Sequence, residues 1–370
     1  MTEHAFEVHP RLHPIFSQAP EEPAQNGAQR EATPDPFGGV RRTLCASVLV
    51  LLACATGCGR YADFTLPAPD QAGPRAPFTW EAAPAPVLGR GPEGAWDAVD
   101  VLNPSVIHFH VGYLNLYSGF DGKTWRTGVA TSSDGVTWTR AGRVLSPEGW
   151  EGSWATNGSA VVAGNEILYW YAAGNPPRIA LARSKDGIAF TKESQTVVPL
   201  GPSGSFDERG VSDPYVIRRA DFFYLFYLGQ DRATRQRLGV ARSRDGIAWE
   251  KLRSNPVLDL GTPGAFDENG LGEPAVWTSG GFYWMLYTGR DRGEHRRLGL
   301  AHSTDGVHWE RETSFAPVSG DQNWDRQVVC DPTVELMPDG ALRVWFGGGD
   351  VAHPVENIHG QIGIATLRGQ

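Results

Sequence analysis

The sequence predicts an all-β protein, a five-bladed β-propeller, from three observations. One register occurs five times: an aromatic residue and an acid are followed, six residues after the acid, by an amide or acidic residue. These residues lie 54, 56, 60 and 58 positions apart. Each interval contains short strand patterns, and a period of this size is typical of propellers. We call the five residues the axial positions: Asn103, Asn157, Asp213, Glu273 and Asp331.

The third repeat shows how one blade is built. Strands are predicted over Val211–Arg218, over the aromatic run Phe222–Leu228 and over the alternating segment Arg237–Arg242. A last strand is predicted through Pro256–Leu258. Four antiparallel strands per repeat make one blade.

Four repeats carry a Ser-x-Asp-Gly turn followed by an aromatic residue three positions after the glycine. An Asp-Gly pair supplies the positive φ angle that a tight hairpin requires. We therefore interpret these turns as structural and expect the aromatic residue to pack between blades. The aromatic residues are Trp138, Phe190, Trp249 and Trp309.

The fifth repeat ends after Ile362–Ala365 and lacks a last strand. The missing pattern occurs at the start of the domain, where Phe78–Glu81 and Pro86–Leu88 mirror Ile247–Glu250 and Pro256–Leu258. We predict that this N-terminal strand completes the last blade and closes the ring, which removes free sheet edges.

The chain before the propeller divides into three predicted segments. Residues 1–39 are polar and rich in Pro and Glu, which indicates disorder or an upstream segment that is wrongly included, with Val40 as the true start. Residues 40–58 have the basic start, short apolar run and small residues of a lipoprotein signal peptide. Cys58 is the preferred lipidation site and Cys54 the alternative. Residues 59–75 are predicted to be a linker to the propeller at 76–370.

Composition excludes several classes of protein. The net charge of −9 argues against a nucleic-acid partner, because duplex binders present a basic face. Only Cys330 of the four cysteines lies within the repeats, so no disulfide framework can form there. We expect a monomer in the bacterial cell envelope whose contact with the membrane is its lipid anchor.

The repeats resemble the five-bladed glycoside hydrolase superfamily, which includes family 43 arabinanases and xylosidases and family 32 fructosidases. The resemblance covers about residues 76–370 and rests on segments such as Asp331–Val334 and Ser303–Trp309. It implies three carboxylates, on the first, third and fourth blades. By register, Glu273 takes the place of the general acid and Asp213 that of the acid that tunes it and holds the substrate. Glycoside cleavage requires two such carboxyl groups in different protonation states.

The first-blade position departs from this pattern, because Asn103 cannot act as a base or nucleophile. Either Asp100, three residues earlier, or Asp331 across the ring could take that role. A third reading is that hydrolysis is lost and the site only binds sugar, with Asn103 and Asn157 as binding residues.

Five loops are predicted to share the face of the axial positions. On this face Trp154, Tyr215 and Trp277 are candidates for stacking on a sugar ring, with packing between blades as the alternative. His353 and His359 lie in the long loop of the last blade, where a relative's histidine can approach a central ion or water. The arginines of the loops Gln230–Arg237 and Arg290–Arg297 suit an anionic sugar or phosphate, but the acids interleaved with them favour local ion pairs. The loops are Asp121–Arg126, Gly174–Arg178, Gln230–Arg237, Arg290–Arg297 and Gly348–His359.

These features predict an extracytoplasmic glycosidase that acts on a carbohydrate, with Glu273 as its acid. The alternatives are a non-catalytic carbohydrate-binding propeller and a glycoside phosphorylase, the latter disfavoured because phosphorolysis outside the cytoplasm lacks a sink for the phosphate ester. No cofactor is expected, and no ligand spacing specific for a metal is visible; a structural ion in the central channel stays open.

Overall fold

The computed structural model describes residues 61–110 and 112–370. The predicted segments 1–39 and 40–58, with Cys54 and Cys58, lie outside these residues. Within the described part, strands are joined by turns and by a single 3₁₀ turn, Gly149–Glu151. No helix in this part of the chain is long and apolar enough to cross a membrane.

Strand pairing produces five successive four-stranded antiparallel groups, one for each repeat. The first contains β3 (Asp100–Phe109), β4 (Gly112–Phe120), β5 (Trp125–Ser132) and β6 (Thr139–Leu145). The second contains β7 (Ala155–Ala163), β8 (Glu166–Ala173), β9 (Arg178–Ser184) and β10 (Thr191–Lys192). The third contains β11 (Gly210–Arg219), β12 (Phe222–Gln230), β13 (Gln236–Ser243) and β14 (Glu250–Leu252).

The fourth group contains β15 (Gly270–Ser279), β16 (Phe282–Arg290), β17 (Arg296–Ser303) and β18 (Glu310–Arg311). The fifth contains β19 (Val328–Leu336), β20 (Leu342–Gly349), β21 (Gln361–Arg368) and the N-terminal β2 (Thr79–Ala82). A parallel contact between Arg296 and Val328 joins the last two groups into one sheet. The protein is an all-β propeller, as the sequence predicts.

The N-terminal strand completes the last group. β2 pairs antiparallel with β21, from Thr79 opposite Arg368 to Ala82 opposite Ala365. Farther along, Leu88 bridges to Ile362. This confirms the predicted closure of the ring.

The last strand of the third repeat differs from the prediction. It is the short β14, which pairs with β13 through Glu250 and Lys251. The apolar segment Pro256–Leu258 contributes only a single bridge, between Leu258 and Leu238. Proline offers no N–H to a sheet, which interrupts a regular strand there.

The acid of each repeat's opening pair is a structural anchor. In the first four repeats its carboxylate accepts a hydrogen bond of 2.6–3.0 Å from a tyrosine hydroxyl on the second strand. A lysine or arginine of the fourth strand forms an ion pair with the same carboxylate. Each buried charge is therefore paired, which burial requires. The acids are Asp97, Glu151, Asp207 and Asp267.

The Ser-x-Asp-Gly turns are structural, as predicted. In each turn the serine hydroxyl accepts the glycine N–H at 2.9 Å. Only the glycine has a positive φ, between 74° and 78°. The following aromatic residues pack across blade boundaries: Trp249 lies edge-on to Trp170, and Trp309 lies edge-on to Phe226.

The predicted linker is wrong for residues 61–75, which pack against the propeller. A short parallel strand, β1 (Tyr61–Ala62), pairs with β14. Leu66 is 5% exposed, and its N–H donates to the carbonyl of Asp305. Asp70 forms an ion pair with Arg219 at 2.8 Å. Leu66 packs against apolar residues of the third and fourth groups. The burial of apolar side chains therefore outweighs the polar composition that suggested a free tether. We call residues 61–75 the strap.

The strap covers one member of an otherwise exposed set of aliphatic residues. Val136, Ile188 and Ile247 follow the turn glycines and are 43–48% exposed. The equivalent Val307 is only 6% exposed, because it belongs to the same apolar cluster as Leu66.

We predict that Leu66→Ala lowers the free energy of unfolding by about 2–4 kcal/mol, since it leaves a cavity over Val307. Thr65→Ala, at the exposed neighbouring position, serves as the control and should change it by less than about 0.5 kcal/mol. Urea unfolding of both variants gives these values. Equal stability of Leu66→Ala and wild type would contradict a strap docked as described.

Candidate active site

The backbone has the same unusual conformation at all five axial positions. Their φ angles lie between 48° and 53°, in the left-handed region. The strand register shifts at each of these residues, so each forms a bulge near the start of its first strand. A non-glycine residue in this region costs roughly 1–2 kcal/mol, and such strain is concentrated at functional sites.

Hydrogen bonds connect each axial residue to the preceding blade. The N–H of Asn103 donates to Asp331 Oδ2 at 3.1 Å. The N–H of Asn157 donates to the Ser118 hydroxyl at 3.1 Å, and that of Asp331 to the Thr288 hydroxyl at 3.3 Å. The structure thus brings the axial positions together around one centre.

Three of the axial residues form a continuous group of acids, which we call the acid trio: Asp213, Glu273 and Asp331. The Glu273 N–H bonds to the Asp213 carboxylate, whose Oδ1 also accepts the side-chain amide of Asn157. On the other side, an oxygen of Glu273, an oxygen of Asp331 and the Cys330 sulfur lie within 4.8 Å of one another. Glu273 is therefore the middle member of the trio.

Burial and mutual repulsion favour the protonated forms of the two outer acids. Asp213 is 7% exposed and Asp331 is 5% exposed. Burial, and then the charge of Glu273, raises the pKa of Asp213 to about 7. The same causes, in the same order, raise the pKa of Asp331 well above its usual range. Neighbouring carboxyl groups that cannot all ionise share protons, as catalytic acid pairs do.

Glu273 is the member of the acid trio that has a buried oxygen without a hydrogen-bond partner among the described residues. Its side chain is partly exposed, and its Oε2 is a buried oxygen with no hydrogen-bond partner among the described residues. A buried oxygen of this kind calls for an explanation. Among the carboxylates of the described residues, Glu294 Oε2 is in the same state. A substrate hydroxyl or glycosidic oxygen would supply the missing partner.

The structure gives Asp100 a structural role instead. Its Oδ1 accepts the N–H of Gly360 at 2.7 Å, and its Oδ2 accepts the N–H of Asn357 at 2.6 Å. With both oxygens occupied by the loop before β21, Asp100 anchors that loop and is unsuited to serve as the base. Asp331 is the carboxylate that lies beside Glu273.

The predicted sugar-stacking residues separate into three environments. Trp277 is 8% exposed and packs edge-on to Phe78 in the core, so its prediction as a stacking platform is wrong. Tyr215 packs between two core clusters, and burial raises its pKa to about 12. Trp154 is half-buried, and its indole donates to the carbonyl of Gly174 at 3.0 Å. Only Trp154 remains a candidate for stacking.

Trp125 is a functional candidate that the sequence analysis missed. Its ring stacks on Phe120 at 4.8 Å, and its indole donates to Glu356 at 3.1 Å. It also bridges through its backbone to Trp154 and packs against Leu102, the residue before Asn103. Its place at the end of the predicted loop Asp121–Arg126 was the signal that could have identified it.

Among the described residues, the side chains of His353 and His359 make no contact with the acid trio. His353 is exposed, and its carbonyl accepts a hydrogen bond from Arg296 at 3.0 Å. His359 is exposed and pairs with Asp350 at 2.7 Å. The loop is held instead by its backbone and by the fully buried Ile358.

Most loop arginines form the local ion pairs that the interleaved acids favour. Arg232 pairs with Glu208 at 2.6 Å, and Arg235 and Arg237 pair with Asp231 at 2.8 and 2.9 Å. Arg290 also pairs with an interleaved acid, Glu294, at 3.3 Å. Arg296, which lies opposite it on β17, instead donates to the carbonyls of His353 and Pro354. The cationic part of the site is thus confined to the fourth group.

By distance alone, Glu273, Cys330 and Asp331 could hold a metal ion. The donor set does not fit one well. The charge of the buried Arg296 acts on the same three side chains and would repel a cation placed among them. One Asp331 oxygen already accepts the N–H of Asn103. We therefore assign no metal to this group and derive no step through one.

The glycosyl hydrolase family 32 N-terminal domain matches residues 107–254 and, in a second overlapping alignment, residues 180–330. The two matches together span more than half of the chain. The strand pattern and the acids at its centre thus define a propeller-type glycoside hydrolase domain. The chain belongs to the propeller superfamily of glycoside hydrolases that this domain family represents.

Individual relatives are distant. An uncharacterized protein of Mycobacterium tuberculosis (strain CDC 1551 / Oshkosh) is 27% identical over 234 residues, which cover 57% of this chain and 75% of the relative. A probable sucrose-6-phosphate hydrolase of Vibrio cholerae serotype O1 is 27% identical over 169 residues, 44% of this chain and 30% of that protein. A solved glycoside hydrolase superposes with a TM-score of 0.63 at 18% identity, covering 77% of this chain and 92% of its own. The last similarity shows the fold alone.

We predict that Asp213→Asn makes stability less dependent on pH. Asp213 has a higher pKa in the folded state than in the unfolded chain, so its stabilising contribution is present below about pH 4 and is lost as the pH rises toward 7. The difference in Tm between Asp213→Asn and wild type should therefore shift in favour of the variant over this range. Thermal unfolding of both proteins from pH 4 to 8 measures this difference in Tm.

The exposed exchange Asp321→Asn is the control and should leave the pH dependence of Tm as it is in wild type. A difference in Tm for Asp213→Asn that is the same at every pH would contradict the raised pKa of Asp213.

Proposed function

We propose that the protein hydrolyses a glycosidic bond of a carbohydrate, with the acid trio as its catalytic group. The observation that carries this proposal is the buried, unpartnered Oε2 of Glu273 between two acids whose pKa values are raised. A group of acids that retains a proton near neutral pH can protonate a departing oxygen. The glycoside hydrolase fold and the distant sucrose-6-phosphate hydrolase relative support the same class of reaction.

In this proposal Glu273 is the general acid. It is the least buried member of the trio and has the open oxygen, so it can reach the glycosidic oxygen and deliver the proton as the C–O bond breaks. Asp331 is the second carboxyl group, and Asp213 supports Glu273 through its N–H and its charge. Asn157 holds Asp213 in place through its side-chain amide.

The spacing of the two carboxyl groups favours retention of stereochemistry. Retaining glycosidases have carboxyl groups about 5–5.5 Å apart, whereas inverting enzymes need about 6.5–9.5 Å to place a water between them. One oxygen of Glu273 and one of Asp331 lie within 4.8 Å of each other, which is nearer the retaining than the inverting separation. Asp331 would then act as the nucleophile in place of the first-blade aspartate, where this chain has Asn103. It does so in the form of the site in which the proton lies on Glu273 and Asp331 is ionised.

A non-catalytic carbohydrate-binding protein is the second candidate. The specific observation that favours it is Asn103, whose N–H occupies an oxygen of Asp331. In that case the sugar would be bound by Asn103 and Asn157 and by Trp125 and Trp154. Glu273 would accept a hydrogen bond from a substrate hydroxyl without transferring a proton.

We also propose that the protein acts as a monomer in the bacterial cell envelope, with a lipid on Cys58. The signal-peptide pattern at 40–58 supports this proposal. The described part of the chain begins at Tyr61, so a lipid on Cys58 would hold the propeller close to the membrane. Mass spectrometry of the mature N-terminus, with Cys58→Ala as the variant, tests it. Unchanged membrane association of Cys58→Ala and Cys54→Ala Cys58→Ala would overturn the anchor.

We predict that Glu273→Gln lowers kcat at least about 100-fold on alkyl glycosides, because the leaving alkoxide then departs without a proton. On 4-nitrophenyl glycosides, whose leaving group needs little protonation, the loss should be much smaller. Asp331→Asn should abolish turnover of both kinds of substrate. A panel of arabinofuranosides, fructofuranosides, xylosides and mannosides gives the substrate class.

The matched control is Glu310→Gln, an exposed exchange on β18, which should retain wild-type rates. Equal loss of Glu273→Gln on both leaving groups would refute its role as the acid. Sugar binding by calorimetry without turnover across the panel would establish the non-catalytic alternative instead.

A further inference from the structure

Trp150 is 40% exposed, more than any other Phe, Tyr or Trp side chain among the described residues. It is the aromatic residue of the opening pair in the second repeat, and it directly precedes the buried anchor Glu151. The equivalent rings of the other repeats are half-buried or buried. The exposure of Trp150 is therefore a departure from the repeat. The equivalent residues are Trp96, Phe206, Phe266 and Trp324.

In the other four blades this ring packs inside its own blade. It lies 5.5–5.9 Å from an aromatic ring of the second strand. It also covers two glycines, one on the second strand and one on the third, and a Cβ on any of these glycines would overlap the ring. The glycine pairs are Gly119 with Gly128, Gly229 with Gly239, Gly289 with Gly299, and Gly348 with Gly363.

The second blade has alanine at both of these positions. Ala173 follows Tyr171 by two residues on β8, and Ala180 lies opposite Tyr171 on β9. Both alanines are buried, so their methyl groups occupy the space that the ring fills in the other blades. The ring of Trp150 lies instead on the backbone of Gly174, where a Cβ would be 2.9 Å from two of its atoms.

The displaced ring lies at the end of a row of residues that begins at the acid trio. The side-chain amide of Asn157 donates to Asp213, and Trp154 precedes Asn157 by three residues. The Trp154 indole donates at 3.0 Å to the carbonyl of Gly174, the residue on which the Trp150 ring lies. Because β8 is farther from the axis than β7, the row leads outward from the trio over the second blade.

A solvent-facing tryptophan offers a large apolar face and a polar N–H. A sugar ring has the matching surface, since its C–H groups form an apolar face and its hydroxyls lie at the edge. Binding sites for such ligands combine aromatic side chains with a few polar groups. The row has this composition, with the indoles of Trp150 and Trp154 and the amide of Asn157.

We propose that Trp150 and Trp154 bind a sugar unit remote from the cleaved bond, so that the substrate is an oligosaccharide or polysaccharide chain rather than a disaccharide. This inference rests on the proposed function for the position of the cleaved bond. The binding of the chain itself requires no cleavage. The two proposals are therefore separable by experiment.

The first measurement is kcat/KM as a function of chain length, with arabino-, fructo-, xylo- and manno-oligosaccharides from disaccharide to hexasaccharide. In wild type the hexasaccharide should be the better substrate. The ratio of kcat/KM for hexasaccharide to that for disaccharide should fall about 3- to 10-fold in Trp150→Ala, mainly through KM, because the stacking surface is lost. Trp150→Phe retains an aromatic face and should recover most of the ratio.

The second measurement needs no turnover. Calorimetry with the same oligosaccharides, in a Glu273→Gln background, compares the Kd values of chains with and without Trp150→Ala. The Kd for the hexasaccharide should rise about 3- to 10-fold. Binding of long chains through Trp150 without cleavage by wild type would overturn the hydrolytic function and leave this inference intact. Cleavage that is independent of chain length would do the reverse.

Ile247→Ala is the matched control. Ile247 is 44% exposed and follows the Asp-Gly turn at the opposite end of the third strand, so its loss removes exposed apolar surface from the other face. It should leave the chain-length ratio and the Kd values as they are in wild type. The proposal is overturned if Trp150→Ala does so too, since the exposed ring would then serve another purpose, such as contact with a protein.

Discussion

The left-handed backbone at the five axial positions is the constraint on which the rest of the site depends. At each position the first strand bulges, and its N–H turns away from its own strand pairing. In four of the five groups the described contacts show where it goes: to a hydroxyl or a carboxylate of the preceding blade. One repeated distortion thus ties the blades together and brings their side chains to a common centre. In the third, fourth and fifth groups those side chains are acids. The same distortion that joins the blades therefore also contributes to the raised pKa values of Asp213 and Asp331.

Much of this arrangement could be predicted from sequence because it depends on register. The five-fold spacing locates the axial positions, and the mirrored strand patterns locate the closing strand. Side-chain direction beyond the bulge could not be predicted in the same way. Trp277 lies four residues after Glu273, but the register shift between Gly272 and Ala275 changes the face that follows, and its ring enters the core.

The roles of Asp100, Arg296 and the strap differ from those predicted for another reason. Each is defined by contacts between distant parts of the chain: Asp100 with residues 257 and 260 positions away, Arg296 with a loop of the next blade, and Leu66 with the turn at Asp305. Local composition makes a polar, proline-rich segment resemble a tether, and makes an arginine among acids resemble one half of a local ion pair. Only the closed ring reveals that both are covered.

The position of the strap has a mechanical consequence. A pull on the chain before Tyr61 is first resisted by the pairing of β1 with β14, then by Leu66 and by the ion pair of Asp70 with Arg219. Only after these contacts fail does the load reach β2, the strand that closes the ring against β21. The strap therefore bears a pulling force before the pairing of β2 with β21 does. It protects the closure of the propeller from forces applied at the N-terminal end of the chain.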